Sequence, residues 1–177
     1  MPADLLTHVL RQADRTLVLS HRLAEWLTHA PELEEDMALA NISLDLLGQA
    51  RHLYTYAGKL EGRGHDEDHF AYFRDAADFR NPLIVEQPNG DFAVTMARQV
   101  LHDHAALLYW ESMRSSTDQT LAALATRAVN ETRFHLRHST GWLIRLGDGT
   151  DDSHRRAQAG LDTRWPFAGE LLGADDE

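Results

Sequence analysis

The 177-residue chain contains no cysteine, and that one absence removes disulfides, thiolate zinc sites, iron–sulfur clusters and cysteine nucleophiles from consideration. Lys59 is its only lysine, so the positive charge is almost entirely arginine, a side chain suited to forked pairing with carboxylates at protein interfaces. Cation of any kind is scarce, with a formal charge of -11, so a nucleic-acid backbone would meet mainly repulsion. No stretch approaches the roughly 20 apolar residues of a membrane span. The N-terminal MPADLLTHVLRQADR is charged every few residues and does not read as a signal peptide. A cytoplasmic protein, bound neither to nucleic acid nor to membrane, is the expectation.

What is present is helical periodicity. Hydrophobic residues make up 43% of the chain, enough for a real core in one domain spanning residues 1–177. Leu6, Val9, Leu10, Ala13, Leu17 and Leu23 recur at helical spacing and predict a first helix from about Asp4 to His29. Pro31 and the acidic run Glu32, Glu34, Glu35 and Asp36 open a second, which should reach about Leu60 before EGRG (61–64) ends it. Asp66 to Arg80 has room for a short helix, and PLIVEQPNGD (82–91) forbids a regular one and reads as a long crossover. Asp91 is placed to cap a third helix ending near Ser115. After a turn at Ser116 to Asp118, a fourth should run from Gln119 to Leu146, stopped by Gly147. A shorter fifth is expected from Ser153 to Leu172, interrupted at Pro166. Short turn, long crossover, short turn is the pattern of an all-α, ferritin-like four-helix bundle with a short C-terminal helix.

Several ionisable residues fall among apolar neighbours. Glu25 stands between Ala24 and Trp26, Asp45 inside ISLDLLGQA, Asp103 inside QVLHDHAALL, and Glu131 with His135 inside AVNETRFHLRH. Each long helix thus offers a carboxylate, which is the outline of a di-metal carboxylate site. Such a site takes one acidic ligand from each of two helices and a Glu-x-x-His pair from each of the other two, because residues three apart project to the same side. The pairs are incomplete here. Three residues before His135 stands Thr132, and the corresponding window of the second helix reads Leu46-Leu47-Gly48-Gln49. Leucine cannot ligate, and a hydroxyl or amide poorly replaces an anionic bridge, so two ferrous ions would leave uncompensated charge in a low-dielectric interior. The expectation is no metal and no catalytic residue. Glu25, Asp45, Gln49, Asp103, Glu131 and His135 would instead form a buried polar network. The alternative is an active di-iron site in which Asp45, Glu131 and water stand in for the missing ligands.

The remaining features carry less. His102 and His104 are about 200° apart on a helix and cannot chelate one ion. Asn41 and His52 read as a polar edge for packing on another chain, and Trp26, Trp110 and Trp142 as core or interface residues. There is no GxSxG elbow, no GxxxxGK[ST] loop and no GxGxxG in a strand-to-helix setting, and GDGT (147–150) is ordinary helix termination.

Three strings, LVLSHRLAEWLTHAPELEEDMALANISLDLLGQAR (17–51), IVEQPNGDFA (84–93) and FHLRHSTGWLIRLGDGTD (134–151), closely resemble the PaaC family of phenylacetate-CoA oxygenase subunits. The resemblance covers nearly the whole chain. It implies a ferritin-like component of a multicomponent monooxygenase that epoxidises the aromatic ring of phenylacetyl-CoA. It also implies that the di-iron cofactor sits in a related PaaA-type subunit, the expected partner, which keeps its Glu-x-x-His pairs. Those pairs fall here on Leu46 with Gln49 and on Thr132 with His135, with Glu25 and Asp103 near the other acidic positions. Members of the family are usually longer at the C-terminus than this chain, which closes with 173–177. On its own, such a chain is expected to show an apolar face and self-associate.

Overall fold

The computed structural model describes residues 2–172, and among them every regular element is helical. The chain forms two compact units, residues 1–81 and 82–177.

The first unit is built on α1 (Pro2–Ala24) and α2 (Leu33–Glu61), followed by the short α3 (Glu67–Tyr72). Val9, Ala13, Leu17 and Leu23 of α1 are buried, as are Leu39, Ile42, Leu46, Leu53 and Ala57 of α2, each set at spacings of three, four or their sums. Each fully buried leucine contributes about 1.5–3 kcal/mol. The two helices run antiparallel, because Ser20 meets Ser43 (Oγ–Oγ 3.2 Å) whereas Asp14, earlier on α1, meets Tyr54, later on α2 (2.6 Å).

Helix α1 ends five residues before the expected His29. Beyond Ala24 the backbone tightens into three-residue turns, Trp26 N–H to Leu23 O and Leu27 N–H to Ala24 O, and Thr28 takes a left-handed φ of 69°. Helix α2 ends as expected at the glycines, with Gly62 at φ 72° returning its N–H to Gly58 O. Gly58 itself is required by a close approach, since a Cβ there would lie 2.2 Å from the carbonyl oxygen of His65.

The second unit comprises α4 (Leu83–Glu86), α5 (Phe92–Met113), α6 (Gln119–Gly147), α7 (Asp151–Arg164) and α8 (Gly169–Leu172). The single turn of α4 is a small departure from the irregular segment expected after Pro82. Its leading amide, Leu83 N–H, donates to Glu170 (2.7 Å), which satisfies one of the donors a helix start leaves open. Asp91 caps α5 by accepting from Val94 N–H, as its sequence position suggests, and Asp118, at the end of the expected turn, caps α6 by accepting from Thr120 and Leu121 N–H. Thr150 and Ser153 form a capping box, so α7 begins at Asp151, two residues ahead of the expected start. The interruption expected at Pro166 is a 3₁₀ turn over Trp165–Phe167.

Helices α5 and α6 are an antiparallel pair, shown by Asp103 with Ser139 and, further along α5 but earlier on α6, Glu111 with Arg133. Helix α7 reaches α5 at Gly160, where a Cβ would stand 3.0 Å from Val94 Cα and 3.1 Å from Ala93 O. Buried Arg98 donates to the Gln87 carbonyl (3.3 Å) and Arg164 to that of Pro88 (2.7 Å), so two guanidiniums hold the irregular stretch before α5.

Candidate functional site

On α5 the buried residues Met96, Gln99, Asp103, Ala106 and Trp110 follow one another at intervals of three and four, which fixes Asp103 in the middle of an inward stripe. On α6 the matching stripe is Leu121, Ala125, Ala128, Thr132, His135 and Ser139. Asp103 is met on both carboxylate oxygens. Ser139 donates its hydroxyl to Oδ2 (3.0 Å), and His102 Nδ1 stands 3.0 Å from Oδ1. With an ionised Asp103, His102 must carry its proton on Nδ1 to donate here. His104, on the opposite side of α5, is exposed and bonds to the Val100 carbonyl, as the 200° separation requires.

In the first unit the inward stripe of α2 carries Leu46 and Gln49, both buried. Leu46 sits one turn from Ile42 and two from Leu53, and it is a core leucine in every respect.

Three of the expected network residues need correction. Glu25 lies on the turn after α1, not mid-helix; its side chain is 50% exposed and pairs with Arg22 (2.7 Å). The early end of α1 is the cause. Asp45 and Glu131 are only partly buried, and Glu131 pairs with Arg127 one turn back (2.8 Å). Each immediately precedes an inward residue, Leu46 and Thr132, and one residue along a helix is a 100° rotation off the buried stripe.

Leucine offers no lone pair at 46, Gln49 and Thr132 bring neutral oxygens, and the Asp103 carboxylate already accepts from two side chains. Among the described residues, no group of three or more His, Asp or Glu stands where it could hold a metal ion.

A second buried polar centre has little signature in the sequence. Asp14, with no exposed surface, accepts from Tyr54 Oη (2.6 Å), from both terminal nitrogens of Arg74 and from the Arg80 backbone N–H (2.9 Å). Arg74 also donates to the Phe70 carbonyl (2.6 Å) and lies over the Phe79 ring at 4.3 Å. Burial, reinforced by the neighbouring Asp14 charge, pushes the Tyr54 phenol far above its ordinary value. The centre fastens residues 70–80 to α1 and α2. The one sequence signal is Asp14 itself, an acid on the apolar stripe of α1 directly after Ala13.

The all-helical elements and their ferritin-like fold define the class: a ferritin-like helical protein. The chain belongs to the phenylacetic acid catabolic protein family, whose model matches residues 2–177. It is 51% identical over 173 residues to a subunit of 1,2-phenylacetyl-CoA epoxidase from Escherichia coli (strain K12), covering 98% of this chain and 69% of that protein. No helix among the described residues is long and apolar enough to cross a membrane.

Proposed function

We infer that this chain is a supporting, non-catalytic subunit of a phenylacetyl-CoA-epoxidising monooxygenase, working in the cytoplasm beside a related helical subunit that carries the di-iron cofactor. The observation that carries the reading is the pair Leu46 and Thr132. Both are buried on inward stripes where the family's iron-binding pattern would have glutamates, and neither can bridge a metal. The similarity to a subunit of an epoxidase supports the reaction class. The Asp103–His102–Ser139 network is consistent with the division of labour, because each oxygen of this carboxylate already has a protein partner.

The test is co-expression with the iron-bearing subunit of the same complex, followed by affinity capture through this chain and metal analysis of each chain separately. Co-purification is expected, with iron in the partner and a negligible amount here. About two irons per molecule of this chain, with an oxygen-sensitive optical spectrum, would overturn the reading. So would failure of the two chains to associate.

A further inference from the structure

The crossover stretch IVEQPNGDFA holds a pair of residues that the supporting role does not use, Asn89 and Gly90. Of the four asparagines in the chain, Asn89 alone precedes a glycine; Ile42, Pro82 and Glu131 follow the others. That neighbour matters chemically. Gly90 has no side chain to shield its backbone nitrogen, which can therefore attack the carbon of the Asn89 side-chain amide. The attack forms a carbon–nitrogen bond and expels ammonia, and water then opens the cyclic imide at either carbonyl, to aspartate or to isoaspartate. Asparagine and water become acid and ammonia, with nothing oxidised or reduced.

The fold opposes that attack at three consecutive carbonyls. Arg98 donates to Gln87 O (3.3 Å), Arg164 to Pro88 O (2.7 Å) and Thr95 Oγ1 to Asn89 O (2.9 Å), and all three donor residues are buried. To reach the side-chain carbon, the Gly90 nitrogen must swing with the peptide plane it shares with Asn89 O, and that is the plane Thr95 holds. The Asn89 side-chain oxygen is itself buried. Gly90 is exposed, at φ 63°, and lies against α5, where a Cβ on it would stand 3.0 Å from Val94 Cβ. The reactive pair therefore sits at the surface with its geometry fixed from the core side.

We propose that Asn89 is a deamidation site held latent by the fold, converting when residues 87–90 open. Isoaspartate lengthens the main chain by a methylene between Pro88 and Asp91, so the three carbonyls no longer meet their donors together and a transient opening becomes a permanent one. Asp91, the cap of α5, stands two residues on, and the start of that helix loosens with it. The inference goes beyond the supporting role and does not depend on it.

The test follows the purified full-length chain at mildly alkaline pH by mass spectrometry of its peptides, scoring the mass gain of amide-to-acid conversion and separating isoaspartate by retention time. In the folded chain, conversion is expected at Asn89 and not at Asn41, Asn81 or Asn130, and at least roughly tenfold more slowly than at Asn89 of the chain unfolded in urea. Thr95→Val keeps the side chain's shape and removes the donor, and should speed the folded-state reaction by about threefold to tenfold. Should that variant fail to fold, Arg164→Met carries the same expectation. Tyr54→Phe removes a buried hydrogen bond in the other unit and should leave the rate unchanged, which separates local from global opening. Equal rates in the folded and unfolded chain would overturn the proposal, as would an Asn89 that stays intact in urea. A wild-type rate in Thr95→Val, or an equal acceleration by Tyr54→Phe, would do the same.

Discussion

Replacing Asp14 by asparagine isolates the contribution of the buried centre between α1, α2 and residues 70–80. The side chain keeps its size, but its charge is lost and one acceptor oxygen becomes a donor facing donors. Four donors converge on the two oxygens: Tyr54, two nitrogens of Arg74 and the Arg80 amide. The Arg74 side chain is only 11% exposed, so its charge cannot turn to water without moving. Removing one member of a buried ion pair typically costs about 3–5 kcal/mol. The carbonyls of Phe70 and Asp78 and the ring of Phe79 still hold the guanidinium, which places the expected loss near the lower end, about 3 kcal/mol. For a chain of this length that is a fall of roughly 6–12 °C in Tm. Denaturant unfolding should report it, and hydrogen exchange should show residues 70–80 losing protection first. The cycle with Arg74→Met is the sharper assay: once Asp14 is neutral, losing Arg74 should cost clearly less than in the wild type. A loss below about 1 kcal/mol for Asp14→Asn, or strict additivity with Arg74→Met, would refute the account of a coupled buried pair.

Other outcomes follow from the same geometry. Tyr54 holds its proton in the folded state above the pH, near 10, where an unfolded tyrosine releases it, so stability should be full below that pH and fall by about 1.4 kcal/mol per unit above it. Tyr54→Phe should flatten this alkaline slope in urea titrations run across pH 9–11. Gly160→Ala should lower stability by about 1–2 kcal/mol, because spreading α7 from Val94 and Ala93 outweighs the better helix propensity of alanine; an increase in Tm would contradict the close approach. Asp103→Leu should cost about 2–3 kcal/mol by removing the buried carboxylate that His102 and Ser139 both meet, and adding Ser139→Ala should recover part of it; a more stable single variant would show Asp103 to be a dispensable remnant.

The helices were legible because their signals are local. Apolar spacing, the cap Asp91, the turn at Ser116 to Asp118 and the stop at Gly62 each act within one or two turns, and the structure has them where the chain announces them. The end of α1 was not legible. Residues 25–29 contain neither glycine nor proline, and the helix yields there to 3₁₀ turns and a left-handed Thr28, which apolar spacing does not encode. The Asp14 centre was hidden for a different reason. Its donors, Tyr54, Arg74 and Arg80, are 40 to 66 residues away, and nothing in a one-dimensional pattern couples them.

For the candidate site, the difference between a buried and a partly exposed carboxylate came down to one residue of register. Asp45 and Glu131 stand beside Leu46 and Thr132, in windows apolar enough that either neighbour fits an inward position. The stripes decide between them, because Ile42, Leu46 and Gln49 share a phase with Leu53, and Val129, Thr132 and His135 with Ser139. The carboxylates are thereby turned about 100° off the buried stripes, where Arg127 meets Glu131. A shift that brought them inward would have to rotate a whole helix and carry its leucines out with them. The core that burying Leu46 builds is therefore the same feature that denies Asp45 a ligand's position, so a compensating acid cannot be recruited from the neighbouring residue without dismantling the packing of α2.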